Sequence, residues 1–201
     1  RLAGAVGERA ARTVGRMLAT GLNCPPTTST GRWFDAAAGA LGLSVRQAHE
    51  AEAAIALENA AKRWIGLHGE PPFDRPEQAG GCGVLDLRPL LACLFDWPAG
   101  EDRAGAAAAW FHAALADALA HWAAKAAADT QADTVCLGGG CFMNALLTRR
   151  VTLRLQSRGL RVLRPQATSC GDAGLALGQA WAVAQQIHLA PGVLTESLSC
   201  V

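Results

Sequence analysis

Three consecutive glycines, Gly138, Gly139 and Gly140, lie between an apolar run and a helix-like segment, and Asn144 follows closely. Glycine has no Cβ, and the first N–H groups of a helix have no partner inside it, so such a turn lets the backbone approach a bulky anion. The stretch is neither a P-loop nor G-x-G-x-x-G. Two interpretations remain open: a cradle for phosphate or a nucleotide edge, with the Asn144 amide beside it, and a tight turn packed closely on a neighbouring element.

Two aspartates lie in sequence contexts that allow them to take part in binding a phosphate or a nucleotide. Asp172 follows Gly171 at a second glycine turn, where an aspartate ordinarily caps a helix but can also coordinate a divalent metal. Asp35 lies in "GRWFDAAAG", among apolar neighbours and with poor helix propensity. It can accept a pair of ribose hydroxyls, as carboxylates do in dinucleotide sites, or lie on a solvated helix face.

The sequence does not identify a catalytic residue. The five histidines are nowhere three to five residues apart, so no helix presents a metal-binding pair. The seven cysteines form no C-x-x-C pair, which argues against a zinc knuckle or a disulfide framework and favours a reducing cytoplasm. Cys141 lies near a helix start, which lowers the pKa of a thiol, but no base partner for it can be identified.

Helices are predicted for most of the N-terminal part of the chain, including the segment that carries Asp35. The pattern favours a helix over 5–20, a second over "GRWFDAAAGALG" and a long alanine-rich one over 102–128. Ser44 and Gln47 form an S-x-x-Q pattern that predicts the start of a further helix. In the long helix Phe111, Leu115, Leu119 and Trp122 recur at helical spacing and predict a buried stripe.

The glycine turn is predicted to belong to a βαβ unit. "TVCL" and "LRVLRP" have the composition of short strands, and the segment 142–158 between them has a row of apolar residues four apart that begins at Met143. A unit of about thirty residues suits a crossover between parallel strands. Before it, the Gly- and Pro-rich segment 66–81 predicts a surface loop, and "CGVLDL" at 82–87 predicts a strand.

Composition narrows the classes of function. Of the 201 residues 51% are hydrophobic, which is enough for a core, and the net charge is +1. Neither a nucleic acid nor an anionic membrane surface is indicated as a partner, and no apolar run is long enough to span a bilayer. The chain begins at Arg1 without a leader-like segment, so we expect a cytoplasmic segment of something longer.

Four stretches occur together in the order and approximate spacing typical of one family: "NCPPTTSTGRWFDAAAGALGL", "LGGGCFMNALL", "LRVL" and "GDAGLALGQA". From about residue 12 to 187 the chain resembles the C-terminal part of the HypF-type carbamoyltransferases of nickel-iron hydrogenase maturation. The "GRWFDA" run, Phe142 and Asn144 favour this family over its relatives, the universal tRNA threonylcarbamoyl transferases and the antibiotic O-carbamoyltransferases.

The resemblance implies an α/β fold, the actin-like (ribonuclease-H-like) ATPase fold, of which this chain is mostly the second half. The expected division is a helical portion, 1–80, with part of the nucleotide site, an α/β portion, 81–188, with the glycine turn and the βαβ unit, and a tail, 189–201. The implied activity is ATP-dependent carbamoyl transfer by a longer chain, from carbamoyl-adenylate to the C-terminal cysteine of a HypE-type partner.

The resemblance also implies roles for individual residues. Asp35 is expected to accept the ribose hydroxyls, Gly138, Gly139, Gly140 and Asn144 to hold the nucleotide, and Asp172 to bind a divalent metal, which can be Zn, Fe or Mg. The histidine pair that supplies the family's other metal ligands belongs to its preceding half.

The chain departs from the family pattern at Gly138, where serine is expected, and at His49 and Ala51, where tyrosine and glycine are expected. These departures keep two alternatives open: a related O- or threonyl-carbamoyltransferase, and a degenerate copy that only binds or acts as a scaffold.

Overall fold

A computed structural model describes residues 2–71, 83–98, 100 and 102–189 of the chain. The helices are α1 (Leu2–Val6), α2 (Glu8–Thr20), α3 (Thr30–Leu41), α4 (Glu52–His68), α5 (Arg88–Phe95), α6 (Arg103–Asp129), α7 (Ala145–Gln156) and α8 (Leu175–Leu189). The strands are β1 (Thr134–Cys136) and β2 (Arg161–Leu163), and two 3₁₀ turns cover Gly140–Met143 and Asp172–Gly174.

The long helix α6 lies at the centre of the core. Its sequence is rich in alanine, which has the highest helix propensity and a side chain small enough for neighbouring helices to approach closely. It packs mainly against α4 and α7, and α3 and α5 also contact it. In the predicted stripe, Phe111 and Leu115 are fully buried, but the prediction for Trp122 is wrong, because its side chain is 43% exposed.

The predicted βαβ unit is confirmed. Strands β1 and β2 pair in parallel, with Val135 opposite Val162, and α7 connects them. Leu147, Val151 and Leu155 are buried against the core, as their spacing predicts. Met143 does not belong to this buried row: it lies in the 3₁₀ turn before α7, and its side chain is 71% exposed.

Helix α4 begins later than the sequence predicts, so the capping box at Ser44 and Gln47 is wrong. The Ser44 hydroxyl donates to the carbonyl of Arg46 at 3.1 Å, and the helix starts at Glu52. The Glu52 carboxylate instead reaches back to accept from the N–H of Ala48 at 2.7 Å. Ala51 precedes the helix in the left-handed conformation, with φ 60°.

The conformation of Ala51 gives a backbone reason for the glycine expected there. A left-handed conformation costs an L-residue with a Cβ about 1–2 kcal/mol, partly offset in a substitution by the greater freedom of glycine in the unfolded chain. We therefore expect Ala51→Gly to raise the free energy of unfolding by about 0.5–1 kcal/mol in a urea titration. The control Ala54→Gly, inside α4, should lower it by at least a similar amount. A loss of stability in both variants would contradict the backbone explanation.

The predicted strand at 82–87 is wrong for its described part. Residues 84–87 have no regular structure and lead into α5, in which Leu90 and Leu94 are buried. The Asp86 side chain accepts from the N–H of Arg88 at 2.9 Å, which supports the start of this helix. Of the predicted loop at 66–81, residues 66–68 belong to α4 and residues 72–81 lie outside the described part, as does the tail beyond 189.

Helix α8 is the least packed of the long helices. Its large apolar side chains Leu175, Leu177 and Trp181 are 61%, 63% and 65% exposed, and its main contact is with the 3₁₀ turn that precedes it. Within the described ranges, no helix combines the length and the apolar character needed to cross a membrane.

Candidate functional site

Three segments that are far apart in the sequence meet around the glycine turn. A Cβ built on Gly31, at the start of α3, would lie 4.0 Å from Cys141 Sγ in that turn. The N–H of Gly139 donates to the carbonyl of Cys170 at 2.6 Å, and a Cβ built on Gly171 would lie 3.5 Å from Gly140 Cα. The start of α3, the glycine turn and the turn before α8 therefore form one surface, which we call the three-segment surface.

The glycine turn itself is open. All three glycines are exposed, and a Cβ on any of them would meet no atom within 4 Å. Only Gly139 has a backbone conformation that favours glycine, with φ 102°. Within the described ranges, the N–H groups of Gly138, Gly140 and Cys141 donate no hydrogen bond. In this part of the chain, close packing does not explain the glycines at 138 and 140, and the turn has backbone donors without a partner among the described residues.

The open space at Gly138 allows a direct test of the departure from the family pattern. Gly138→Ser should change the free energy of unfolding by less than about 0.5 kcal/mol, because a surface side chain with no neighbour costs little. Gly139→Ser should instead lose about 1–2 kcal/mol, since its φ of 102° is strained for a serine. Urea titrations of the two variants provide the comparison. Equal losses of stability would mean that the backbone conformation of Gly139 does not explain why the turn rejects a side chain.

Asp35 faces the glycine turn from α3. Its side chain is only 22% exposed, and its Oδ2 forms an ion pair with Arg32 Nη1 at 3.0 Å. Asp35 therefore does not lie on a fully solvated helix face. Burial, and next the charge of Asp35, raise the pKa of the Cys141 thiol. The expectation that the helix start lowers this pKa is therefore wrong, and Cys141 is not an activated nucleophile in this arrangement.

Asn144 is the N-cap of α7. Its Oδ1 accepts from the N–H of Leu147 at 2.9 Å, and its Nδ2 lies 2.9 Å from His112 Nε2 on α6. The side chain is buried, with 8% exposure, so one N–H of its amide remains for any other contact. That Asn144 contacts a nucleotide stays a prediction.

Sequence reasoning missed three side chains that hold this end of α7. Glu58 on α4 accepts from the N–H of Ala145 at 2.9 Å and pairs with Lys62 Nζ at 2.7 Å. The Thr148 hydroxyl donates to the carbonyl of Phe142 at 2.6 Å, which ties the helix to the glycine turn. His112 is the third. The only signal in the sequence was its place beside Phe111 on the core helix.

Asp172 lies at the edge of the three-segment surface. Its carboxylate is exposed, and it makes no hydrogen bond or ion pair with the described part of the chain. It does not cap the 3₁₀ turn, whose N-cap residue is Gly171. Among the described residues, no three side chains of His, Cys, Asp or Glu are grouped so that they could hold a metal ion.

Comparisons with known proteins place this arrangement in a family. A family model described as "Carbamoyltransferase, Kae1-like Domain, second subdomain" matches residues 2–179. The chain is 56% identical over 184 residues to the carbamoyltransferase HypF homolog of Cupriavidus necator, and 39% identical over 200 residues to carbamoyltransferase HypF2 of the same organism. These alignments cover 90% and 86% of this chain.

Solved structures agree with these matches. The crystal structure of T. kodakarensis HypF superposes with a TM-score of 0.77 at 26% identity and covers 93% of this chain. Full-length HypF in the phosphate- and nucleotide-bound form superposes with a TM-score of 0.75 at 25% identity and covers 92%.

The chain spans only part of the proteins it matches, namely 46% of the first Cupriavidus relative, 24% of the second and 24% of each solved chain. The predicted fold is confirmed, since the helices and the small parallel sheet correspond to the α/β actin-like architecture of HypF. The chain belongs to the HypF carbamoyltransferase family and corresponds to the second subdomain of its Kae1-like domain.

Proposed function

We propose that this chain provides the nucleotide-binding surface of a HypF-type carbamoyltransferase, which acts on carbamoyl-adenylate. The observation that carries the proposal is the meeting of Asp35, the glycine turn and the Asp172 turn on one surface, although they are 137 residues apart at the extremes. The nucleotide-bound state of a HypF with the same fold supports a nucleotide as the ligand.

In the proposed site the glycine turn contacts the adenylate through its backbone. The N–H groups of Gly138, Gly140 and Cys141, which have no partner among the described residues, are suited to phosphate oxygens, since an amide donor to a charged acceptor makes a strong hydrogen bond. The Asp35 carboxylate can accept two ribose hydroxyls, in place of its exposed partner Arg32. Asn144 holds the start of α7 and has one N–H left for the nucleotide.

A divalent metal fits these residues only in part. The exposed carboxylate of Asp172, which has no partner among the described residues, is a suitable oxygen ligand, but one carboxylate cannot fill the coordination sphere of Zn, Fe or Mg. We propose that Asp172 supplies one ligand of a site whose other ligands come from outside the described residues. When bound, such an ion neutralises negative charge beside the phosphate.

The proposed reaction is transfer of the carbamoyl group to the C-terminal cysteine thiolate of a HypE-type partner. The thiolate sulfur forms a bond to the carbamoyl carbon, the bond from that carbon to the phosphate oxygen breaks, and AMP leaves. Cys141 is a poor candidate for the acceptor, because burial and the charge of Asp35 raise the pKa of its thiol.

The test uses the full-length protein with ATP and, separately, with carbamoyl-adenylate and a HypE-type partner. Calorimetry should show saturable ATP binding, and mass spectrometry should show one carbamoyl group on the C-terminal cysteine of the partner. A partner with serine at that position is the control and should stay unmodified. ATP binding without transfer would favour the alternative, a non-catalytic binding copy, and absence of both would overturn the proposal.

A further inference from the structure

The buried side chain of His112 lies directly behind the three-segment surface. It is fully buried on α6, beside the rings of Phe34 and Phe111, whose centroids lie 5.5 and 6.1 Å from its own. Nδ1 lies 2.8 Å from the carbonyl oxygen of Ala108, and Nε2 lies 2.9 Å from Asn144 Nδ2. No step of the proposed reaction uses this ring, yet both of its nitrogens have a partner.

The partners of His112 fix the direction of a chain of hydrogen bonds. The Ala108 carbonyl can only accept, so Nδ1 carries the hydrogen and the neutral Nε2 must accept from the Asn144 amide. The Asn144 Nδ2 group therefore points to the ring, and Oδ1 is left for the N–H of Leu147. Turning the amide around would place its NH₂ group against the Leu147 N–H, so each bond depends on the other.

Protonation of the ring would break this chain, because Nε2–H and the Asn144 NH₂ group are both donors. Burial lowers the pKa of His112, while the hydrogen bond to Ala108 and the charge of Glu58 act in the opposite direction. The charge of Lys62 on α4 also disfavours the proton on the ring. The surroundings thus favour the neutral ring that the geometry requires.

We propose that His112 is a positioning residue: as a neutral acceptor it orients the Asn144 amide and thereby holds the start of α7 and the glycine turn in the arrangement that receives the ligand. The consequence for the ligand rests on the proposed function, whereas the consequence for the α7 cap does not. His112 itself contacts no ligand in this proposal.

The experiment compares His112→Gln with His112→Met in the full-length protein. The two side chains are similar in size, but only the glutamine oxygen can accept from Asn144. His112→Met should weaken ATP binding about tenfold, because a buried amide loses its partner, and should speed hydrogen exchange of the Leu147 amide. His112→Gln should stay near the wild-type values for both. Equal behaviour of the two variants, whether both normal or both impaired, would overturn the proposal.

Asn144→Asp gives a second measurement, because it should change the pH dependence of stability in the direction opposite to that of the wild type. In the wild type the folded pKa of His112 lies below the unfolded value of about 6.5, so the unfolded state binds more protons and stability is lost as the pH falls from about 7 towards 5. The introduced carboxylate would still cap α7 and would favour the protonated ring, so the loss should shrink or reverse over this range. An unchanged pH profile would contradict the assigned contact even if His112→Met fails to fold.

If the wild type does not bind ATP, the proposed function fails. The hydrogen-exchange rate of the Leu147 amide and the pH dependence of stability still decide whether His112 positions Asn144. If ATP binds and the glutamine and methionine variants bind it equally, the proposed function stands and the positioning role is wrong.

Discussion

Asp35→Asn should weaken binding of ATP to the full-length protein by about tenfold or more, while the fold stays intact. A hydrogen bond to a charged group contributes about 1.5–3 kcal/mol, and an amide in place of the carboxylate loses one of the two acceptor oxygens and the charge. Within the described part of the chain this carboxylate pairs with Arg32, whose side chain is 69% exposed, so loss of the pair should cost less than about 1 kcal/mol of stability.

The measurement is calorimetric titration with ATP, together with urea unfolding of the same preparations. Asp129→Asn, at the exposed end of α6, removes the same charge away from the three-segment surface and should leave the affinity unchanged. If Asp35→Asn binds ATP as tightly as the wild type, Asp35 does not belong to the site. If both variants lose affinity alike, the protein's overall charge is responsible.

Gly174→Ala should destabilise the turn before α8 by about 1–3 kcal/mol and weaken ATP binding as well. A Cβ at this position would lie 2.3 Å from the carbonyl oxygen of Ser169 and 3.2 Å from Thr168 Oγ1. The near contact is with backbone, so the 168–174 turn must move. That turn carries Asp172 and holds the glycine turn through the Gly139–Cys170 hydrogen bond, so the displacement should reach the proposed nucleotide site.

Gly178→Ala is the matched control four residues further along. It lies inside α8, where a Cβ meets no atom within 4 Å of the described part. Alanine in a helix interior is about 0.5–1 kcal/mol more favourable than glycine, so this variant should be neutral or slightly more stable. Urea titration followed by circular dichroism and ATP calorimetry test the pair. Unimpaired stability in Gly174→Ala would show that the turn can absorb the methyl group.

The sequence was informative where structure depends on neighbours within a few residues. Helix α6 follows from alanine propensity and a periodic stripe, and the βαβ unit follows from two short apolar runs around a helical row. It was misleading where another contact competes with a local signal. The S-x-x-Q pattern at Ser44 predicts a helix start, but α4 begins only at Glu52, whose carboxylate accepts from the N–H of Ala48. Likewise, the apolar residues of 84–87 lead into a helix that packs on the core.

The sequence by itself determined the family and the main helices, because composition, spacing and short motifs are properties of the chain; the nucleotide-site residues that it suggests stay a prediction. Only the tertiary structure decided which groups form hydrogen bonds with one another around the proposed site. The Asn144 amide is 32 residues from His112, and the Ala145 N–H is 87 residues from Glu58, so no local pattern relates them. The packing of α3, α4 and α7 on α6 brings these groups within hydrogen-bond distance, where burial makes each unpaired donor or acceptor costly and so fixes which group binds which.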